Sequence, residues 1–460
     1  MKIITFVGAL LAAAAALAQA IGAVADTGGT GVPARDPGPT TQPRSKPAAL
    51  KVTLAEAATL ALKNSRALKG AAQAVEGALA GVDEARASAK PSVGATGTLA
   101  RMDKGLSATL PGAGDILLNR ENQGSVAVQA MLPIDITGLI RTAVKASDLQ
   151  VAMARLEVEQ VRLSVVLGVR TAYYDVLRAR AFAEVAEAAL KNARERASMA
   201  DAYEKVGTGT KFDVLRAETE VANVAQSALM ASNGVKLATA ALNHALGIDQ
   251  NTPTEIAGAP DAAAAPELPA ALEQAYARRP EAAQADAGIR AAELGIRLAQ
   301  RSALPTLGVS WTGRYTPDDA GLAPQKTSWM AAAQVNLPLF DQGMAKARVR
   351  KARADVEAAA TGKQALLDGI ALQVRQAHLD LANATERLAV TAAAVAQAEE
   401  QYRLSQVRFE TGVTQMPGAS PLLEVSDAQT ALTQARINHL AARYDILSAR
   451  ARLDAATGAK

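Results

Sequence analysis

The chain has 460 residues, a formal net charge of +4, 3 % aromatic side chains and no cysteine. Without thiols there are no disulfides, no thiolate metal sites and no lipid anchor on an N-terminal cysteine. A charge so small and so interspersed gives no footprint for nucleic acid.

Residues 1–25 read as a signal peptide. Lys2 is followed by an apolar Ala/Leu run and two small-x-small sites, Ala18-Gln19-Ala20 and Ala23-Val24-Ala25. Beyond it no apolar run reaches about 18 residues, so no helical membrane span is expected. Residues 26–50, rich in Gly, Pro and Thr, read as a flexible leader.

A first repeat is expected over 51–247. It opens with a helix from about Thr53 to Lys90, where Thr53 and Glu56 form a capping box and Pro91 stands past the end. Two strands follow, about 92–101 and 124–133, joined by a link that carries Gly105, Pro111, Gly112 and Gly114. A proline-free helix over 139–205 then runs to a turn at Gly207-Thr208-Gly209, and a further helix covers 212–247. Residues 248–270, with four prolines, read as a linker.

The second repeat, 271–460, follows the same order. Arg279-Pro280-Glu281 stands where the first repeat has Asn64-Ser65-Arg66, and strands are expected at about 306–316 and 328–338. A long helix over 344–410 and a last helix over 421–456 complete it. Pro133 to Gly207 and Pro338 to Gly412 enclose the same number of residues, although few side chains agree. A length kept while identity drifts points to a geometric constraint on both long helices.

At about 1.5 Å per residue each long helix would extend on the order of 100 Å. In the second, Val374, Leu381, Leu388, Val395, Tyr402 and Phe409 recur every seven residues, and four residues before each stand Ile370, Ala377, Ala384, Thr391, Ala398 and Ser405. Large groups at one seam position and mostly small ones at the other let helices approach closely. The strand segments alternate with period two, and their length suits a tilted strand crossing a bilayer. Both tryptophans, Trp311 and Trp329, fall on the apolar side, as does Tyr315, where an aromatic girdle is expected. Four strands cannot close a barrel and open edges are not viable in lipid, so a membrane role requires several chains.

This order of elements, with Leu337-Pro338-Leu339-Phe340-Asp341-Gln342-Gly343 and Val206-Gly207-Thr208-Gly209-Thr210-Lys211-Phe212-Asp213, resembles the TolC-like outer-membrane efflux family. The resemblance covers about residues 50–456. It implies a mainly α fold with four strands per chain completing a 12-stranded trimeric transmembrane barrel, above a periplasmic α-helical coiled-coil tunnel. It also implies a homotrimer in outer-membrane lipid, a periplasmic adaptor (membrane fusion) protein, and an inner-membrane pump such as an RND or ABC transporter. Glu424 and Asp427, with Asp213 in the first copy, match the acids that line the family's periplasmic entrance. Arg216 occupies the place of Asp427 in the first repeat and supplies a counter-charge. Gly207, Thr208 and Gly209, with Gly412 and Val413, match turns that meet the adaptor. The second turn departs from the pattern by the longer Gln415–Ser420 loop.

The function expected is a passive exit duct; the alternative is a soluble helical scaffold spanning the periplasm. Drugs, metal ions and polypeptides all suit a duct as cargo. His244, His378 and His439 lack metal-ligand spacing, and no nucleophile elbow or phosphate loop is present. No catalytic, cofactor-binding or metal-binding residue is assigned.

Overall fold

In a computed structural model the described residues are 50–110, 114–258, 266–317, 326–411 and 421–459. The signal, most of the leader and the Gly412–Ser420 turn therefore lie outside the described residues. The elements run β1 (Leu50–Val52), α1 (Leu54–Asn64), α2 (Arg66–Ala87), β2 (Ser92–Arg101), β3 (Leu106–Leu110), β4 (Gly114–Asn119) and β5 (Asn122–Ile134). Then come α3 (Leu139–Lys205), α4 (Lys211–Ala245), β6 (Thr254–Ile256), α5 (Leu268–Arg278) and α6 (Pro280–Arg301). Last are β7 (Thr306–Tyr315), β8 (Thr327–Asn336), α7 (Met344–Thr411) and α8 (Pro421–Ala456).

The chain divides into two compact units, and each draws on both repeats. One comprises 82–145 and 296–350 with the main sheet; the other comprises 46–81, 146–295 and 351–460 and is almost wholly helical.

In the first unit, β2, β5, β7 and β8 form one antiparallel sheet in the order β2-β5-β7-β8. Directly opposed residues of an antiparallel pair share a face, so the register tests the period-two reading. Val93 opposes Ala130, Ala130 opposes Trp311 and Trp311 opposes Ala331. Two residues on, Ala95, Val128, Gly313 and Trp329 make the next row. All four strands thus turn their apolar alternation to one face, and that face is largely uncovered; Trp329 is 74 % exposed.

The strand-to-helix corners are built from local chemistry. Gly138 has φ +73°, a conformation that disfavours a Cβ. Arg301, at the end of α6, donates from Nη1 to the Gly138 carbonyl at 2.7 Å and to Thr142 Oγ1. Asp135 accepts from the backbone N–H groups of Ile140 and Arg141, and Asp341 from those of Gly343 and Ala345. Each carboxylate satisfies donors left over at a helix start.

The helical unit has two apolar centres. One packs Val169, Tyr173 and Val176 of α3 against Ala57, Ala61, Leu242 and Leu246. The other packs Ile370, Val374, Ala377 and Leu381 of α7 against Ala271, Ala275 and Leu453. Burial along α7 follows the expected seam, down through Ala384, Ala398 and Ser405.

Three features differ from the sequence expectations. The first helix is not continuous: it breaks at Ser65, whose ψ of 120° is extended. Asn64 Nδ2 there donates to the Leu246 carbonyl, and Gly247 presses so close that a Cβ would meet Asn64 Cβ at 2.9 Å. The link between the first two strands holds the β3–β4 hairpin, and the stretch after α4 holds β6, which pairs in parallel with β1.

Candidate functional site

The first hairpin turn joins α3 to α4. Gly207 has φ +78°, and a Cβ on Gly209 would lie 3.1 Å from the backbone of Tyr203 and Glu204, so both glycines serve the turn. The N–H groups of Thr208 and Gly209 both donate to the Tyr203 carbonyl, at 3.0 and 2.9 Å. Around this turn Val206 and Phe212 are exposed, and the Tyr203 ring meets Phe409 edge-on at 5.8 Å. Gly412 and Val413, the counterpart turn, lie outside the described residues.

Above the turn, α3, α4 and α8 enclose a cavity of about 100 Å³. Its wall brings together Asp213, Arg216 and Glu220 of α4, Asp427 of α8 and Arg196 of α3. Of the four charged residues expected at the entrance, Asp213, Arg216 and Asp427 therefore meet at one place. Glu424 does not line it. Its carboxylate lies 3.7 Å from Arg408 Nη1, an ion pair that joins the end of α7 to the start of α8.

Asp213 has a second task that its spacing from Thr210 explains. The Thr210 N–H donates to Asp213 Oδ2 at 3.3 Å while the Asp213 N–H donates back to Thr210 Oγ1 at 3.2 Å, a complete capping box for α4. Glu424 sits in the first turn of α8, where the helix dipole favours an acid.

Arg196 is the residue that sequence reasoning missed. It is 7 % exposed, and its Nη1 has no hydrogen-bond partner among the described residues. Burial pushes its guanidinium below the usual range, opposed by the nearby Tyr402 and Glu220 and by a hydrogen bond with Tyr402 of α7. Toward the C-terminal end of α3 the buried residues are Ala189, Ala193, Arg196 and Ala200, and Arg196 is the one charged member.

The three aromatic residues expected at a girdle lie in β7 and β8. Trp311 and Trp329 project from adjacent rows of the apolar face, and Tyr315 from the same face opposite Val126 and Thr327. No helix among the described residues is long and apolar enough to cross a membrane.

Comparison with known proteins gives the same architecture a family. The model of the outer membrane efflux protein family matches residues 57–248 and 271–459. Toluene efflux pump outer membrane protein TtgC of Pseudomonas putida is 25 % identical over 413 residues, spanning 84 % of this chain and 80 % of that protein. Protein CyaE of Bordetella pertussis is 29 % identical over 343 residues, spanning 72 % of this chain and 69 % of that protein. The fold is that of the outer membrane protein VceC from Vibrio cholerae, with a TM-score of 0.70 at 20 % identity over 88 % of this chain and 96 % of that one. These findings set aside the soluble-scaffold alternative: the chain belongs to the outer membrane efflux protein family.

Proposed function

We propose that this chain works as a homotrimeric exit duct, coupled through a periplasmic adaptor to an inner-membrane pump. The sheet carries the reading. Its four strands present one apolar face, and its outer strands β2 and β8 each have an edge with no partner strand among the described residues. In hydrocarbon an unpaired backbone donor or acceptor costs several kcal/mol, so free edges must be closed. Three copies joined β8 to β2 give twelve strands and no edge.

In the helical unit, Asp427 with Arg216, Asp213 and Glu220 forms the charged constriction of the duct. Repeated about a threefold axis, Asp427 and Glu424 form a ring that favours cations and repels itself when ionised. The exposed Val206 and Phe212 beside Gly207-Thr208-Gly209 offer the adaptor an apolar contact. The chain itself catalyses nothing in this reading; the pump supplies the driving force and selects the cargo. The name of the TtgC relative makes an organic solvent one cargo to try first.

Membrane fractionation tests the reading. The processed chain should require detergent for release and run as a trimer, and purified trimers should conduct ions in planar bilayers. Release by osmotic shock as a dissolved monomer would end it.

A further inference from the structure

The two long helices begin with the same basic pair. Arg141 and Lys145 stand one turn apart at the start of α3, and Lys346 and Arg350 occupy the corresponding places at the start of α7. The offset is the one that relates Pro133 to Pro338 and Gly138 to Gly343. All four side chains are exposed.

Helix physics disfavours Arg141 and Lys346, which stand in the first turns of α3 and α7. The N-terminal end of a helix carries partial positive charge, so acids are stabilising there and cations are not. Neither α3 nor α7 has an acid in its first turn. Like charges four residues apart also repel. The acids just ahead of each helix are engaged with backbone: Asp135 holds two N–H groups at 3.2 and 3.0 Å, and Asp341 holds two at 3.0 and 2.7 Å. Arg141 reaches Asp135 as well, at 3.4 Å, and still keeps most of its side chain in solvent. A local rule broken at matching places in both repeats points to a counter-charge from outside the chain.

The residues just before the pairs indicate where that charge resides. Ile136 precedes the first pair and is exposed. Leu339 and Phe340 precede the second and are 89 % and 85 % exposed, with Met344 exposed beside them. A water-filled lumen gives apolar side chains no reason to project this way, whereas a bilayer surface does. There the apolar groups enter the acyl region while Lys and Arg stems carry their charges up to the phosphates.

The geometry points to a binding site for anionic phospholipid headgroups at the two strand-to-helix junctions, with Arg141/Lys145 and Lys346/Arg350 holding the phosphates. Arginine suits this task because its planar fork meets two phosphate oxygens at once. The inference rests on the reading of the sheet as membrane-spanning.

The test uses the full-length chain in nanodiscs of equal phosphatidylglycerol and phosphatidylcholine, with the lipid retained on re-extraction measured. A parallel measurement follows the temperature at which trimers dissociate in each lipid alone. Wild type should retain phosphatidylglycerol over phosphatidylcholine by about fivefold or more and dissociate at a higher temperature in it. The quadruple variant R141Q/K145Q/K346Q/R350Q should lose both effects, yet match wild type in phosphatidylcholine. Should that variant assemble poorly, the double variants R141Q/K145Q and K346Q/R350Q should each lose about half of the preference. A variant that keeps the wild-type preference would overturn the assignment. So would a variant whose lipid preference stays while its ion selectivity changes, since the pairs would then face the lumen. Wild-type trimers indifferent to headgroup charge would sink this inference alone, whereas a wild-type chain that never forms trimers would sink the duct reading beneath it.

Discussion

The indole of Trp311 lies across Gly313, so that a methyl group built on the glycine would come within 2.7 Å of the ring's Cη2 atom. The two residues share a face of β7, and Gly313 is flanked by Val128 and Trp329 on the neighbouring strands. The missing side chain leaves room for the ring.

Gly313→Ala should therefore displace the indole and cost about 1 kcal/mol, the low end for overfilling because this face is largely uncovered. Heat dissociation of the trimer and tryptophan emission would report it, the latter readily because the chain has only two tryptophans. Gly308→Ala is the control. Its methyl would meet Met131 Cε at 3.7 Å, an ordinary contact, and should change stability by less than about 0.5 kcal/mol.

The two acids proposed for the entrance should behave differently when replaced one at a time. Asp427 lines the cavity that also holds Arg216, so Asp427→Ala should weaken cation selectivity and raise conductance in bilayers. Glu424 tethers Arg408 across the second turn, so Glu424→Ala should act mainly on the frequency of opening. A double variant with unchanged currents would remove both from the gate.

Arg196 gives a prediction of unusual sign. A buried guanidinium with an unmade hydrogen bond is expensive, and apolar replacement of buried charges is often neutral or stabilising by about 1–4 kcal/mol. Arg196→Met should leave thermal stability equal or higher while loosening the link to Tyr402, seen as more frequent opening. Tyr402→Phe keeps the charge and removes its partner, so it should destabilise, by about 1.5–3 kcal/mol for a hydrogen bond to a charged group.

The break between α5 and α6 carries a pH dependence. Burial alone would raise the Glu281 carboxyl, but the hydrogen bonds and charge of Arg279, at 2.8 Å, outweigh it and hold the group below its ordinary 4.5. A carboxyl depressed in the folded state contributes stability in full above its unfolded value and loses it as pH falls through the folded one. Wild type should thus lose stability below about pH 4.5, and Glu281→Gln should flatten that part of the acid profile. Circular dichroism melts between pH 3 and 7 would measure it, with steeper acid sensitivity in the variant as the contrary result.

Much of this fold was legible because it is periodic. The seam through Ile370, Val374, Ala377 and Leu381 repeats every seven residues, and the strands alternate in step with the register that pairs them. Short elements were not legible for the same reason. β1 and β6 have three residues each, too few to show a period, and they exist because the chain brings them together. The break at Ser65 was hidden because nothing nearby forbids helix; contact with Leu246 and Gly247 imposes it. The counterpart break at Arg279, where one helix to Leu304 was expected, had a signal that went unused, since the residue before a proline avoids the helical region. Asp213 and Asp427 could be named only through the resemblance to the efflux family, and Arg196 not at all, because an arginine in an alanine stripe looks like a solvated face until its neighbours are seen.

Closure of the sheet by sister chains is the claim on which the duct reading rests. The chain has no cysteine, so pairs introduced one on β2 (Gly94, Thr96 or Thr98) and one on β8 (Met330, Ala332 or Gln334) have a clean background. Oxidised in native membranes, at least one register of these pairs should yield a covalent trimer that reduction returns to single chains. No cross-link at any register, together with a monomer that stays dissolved without detergent, would contradict the account.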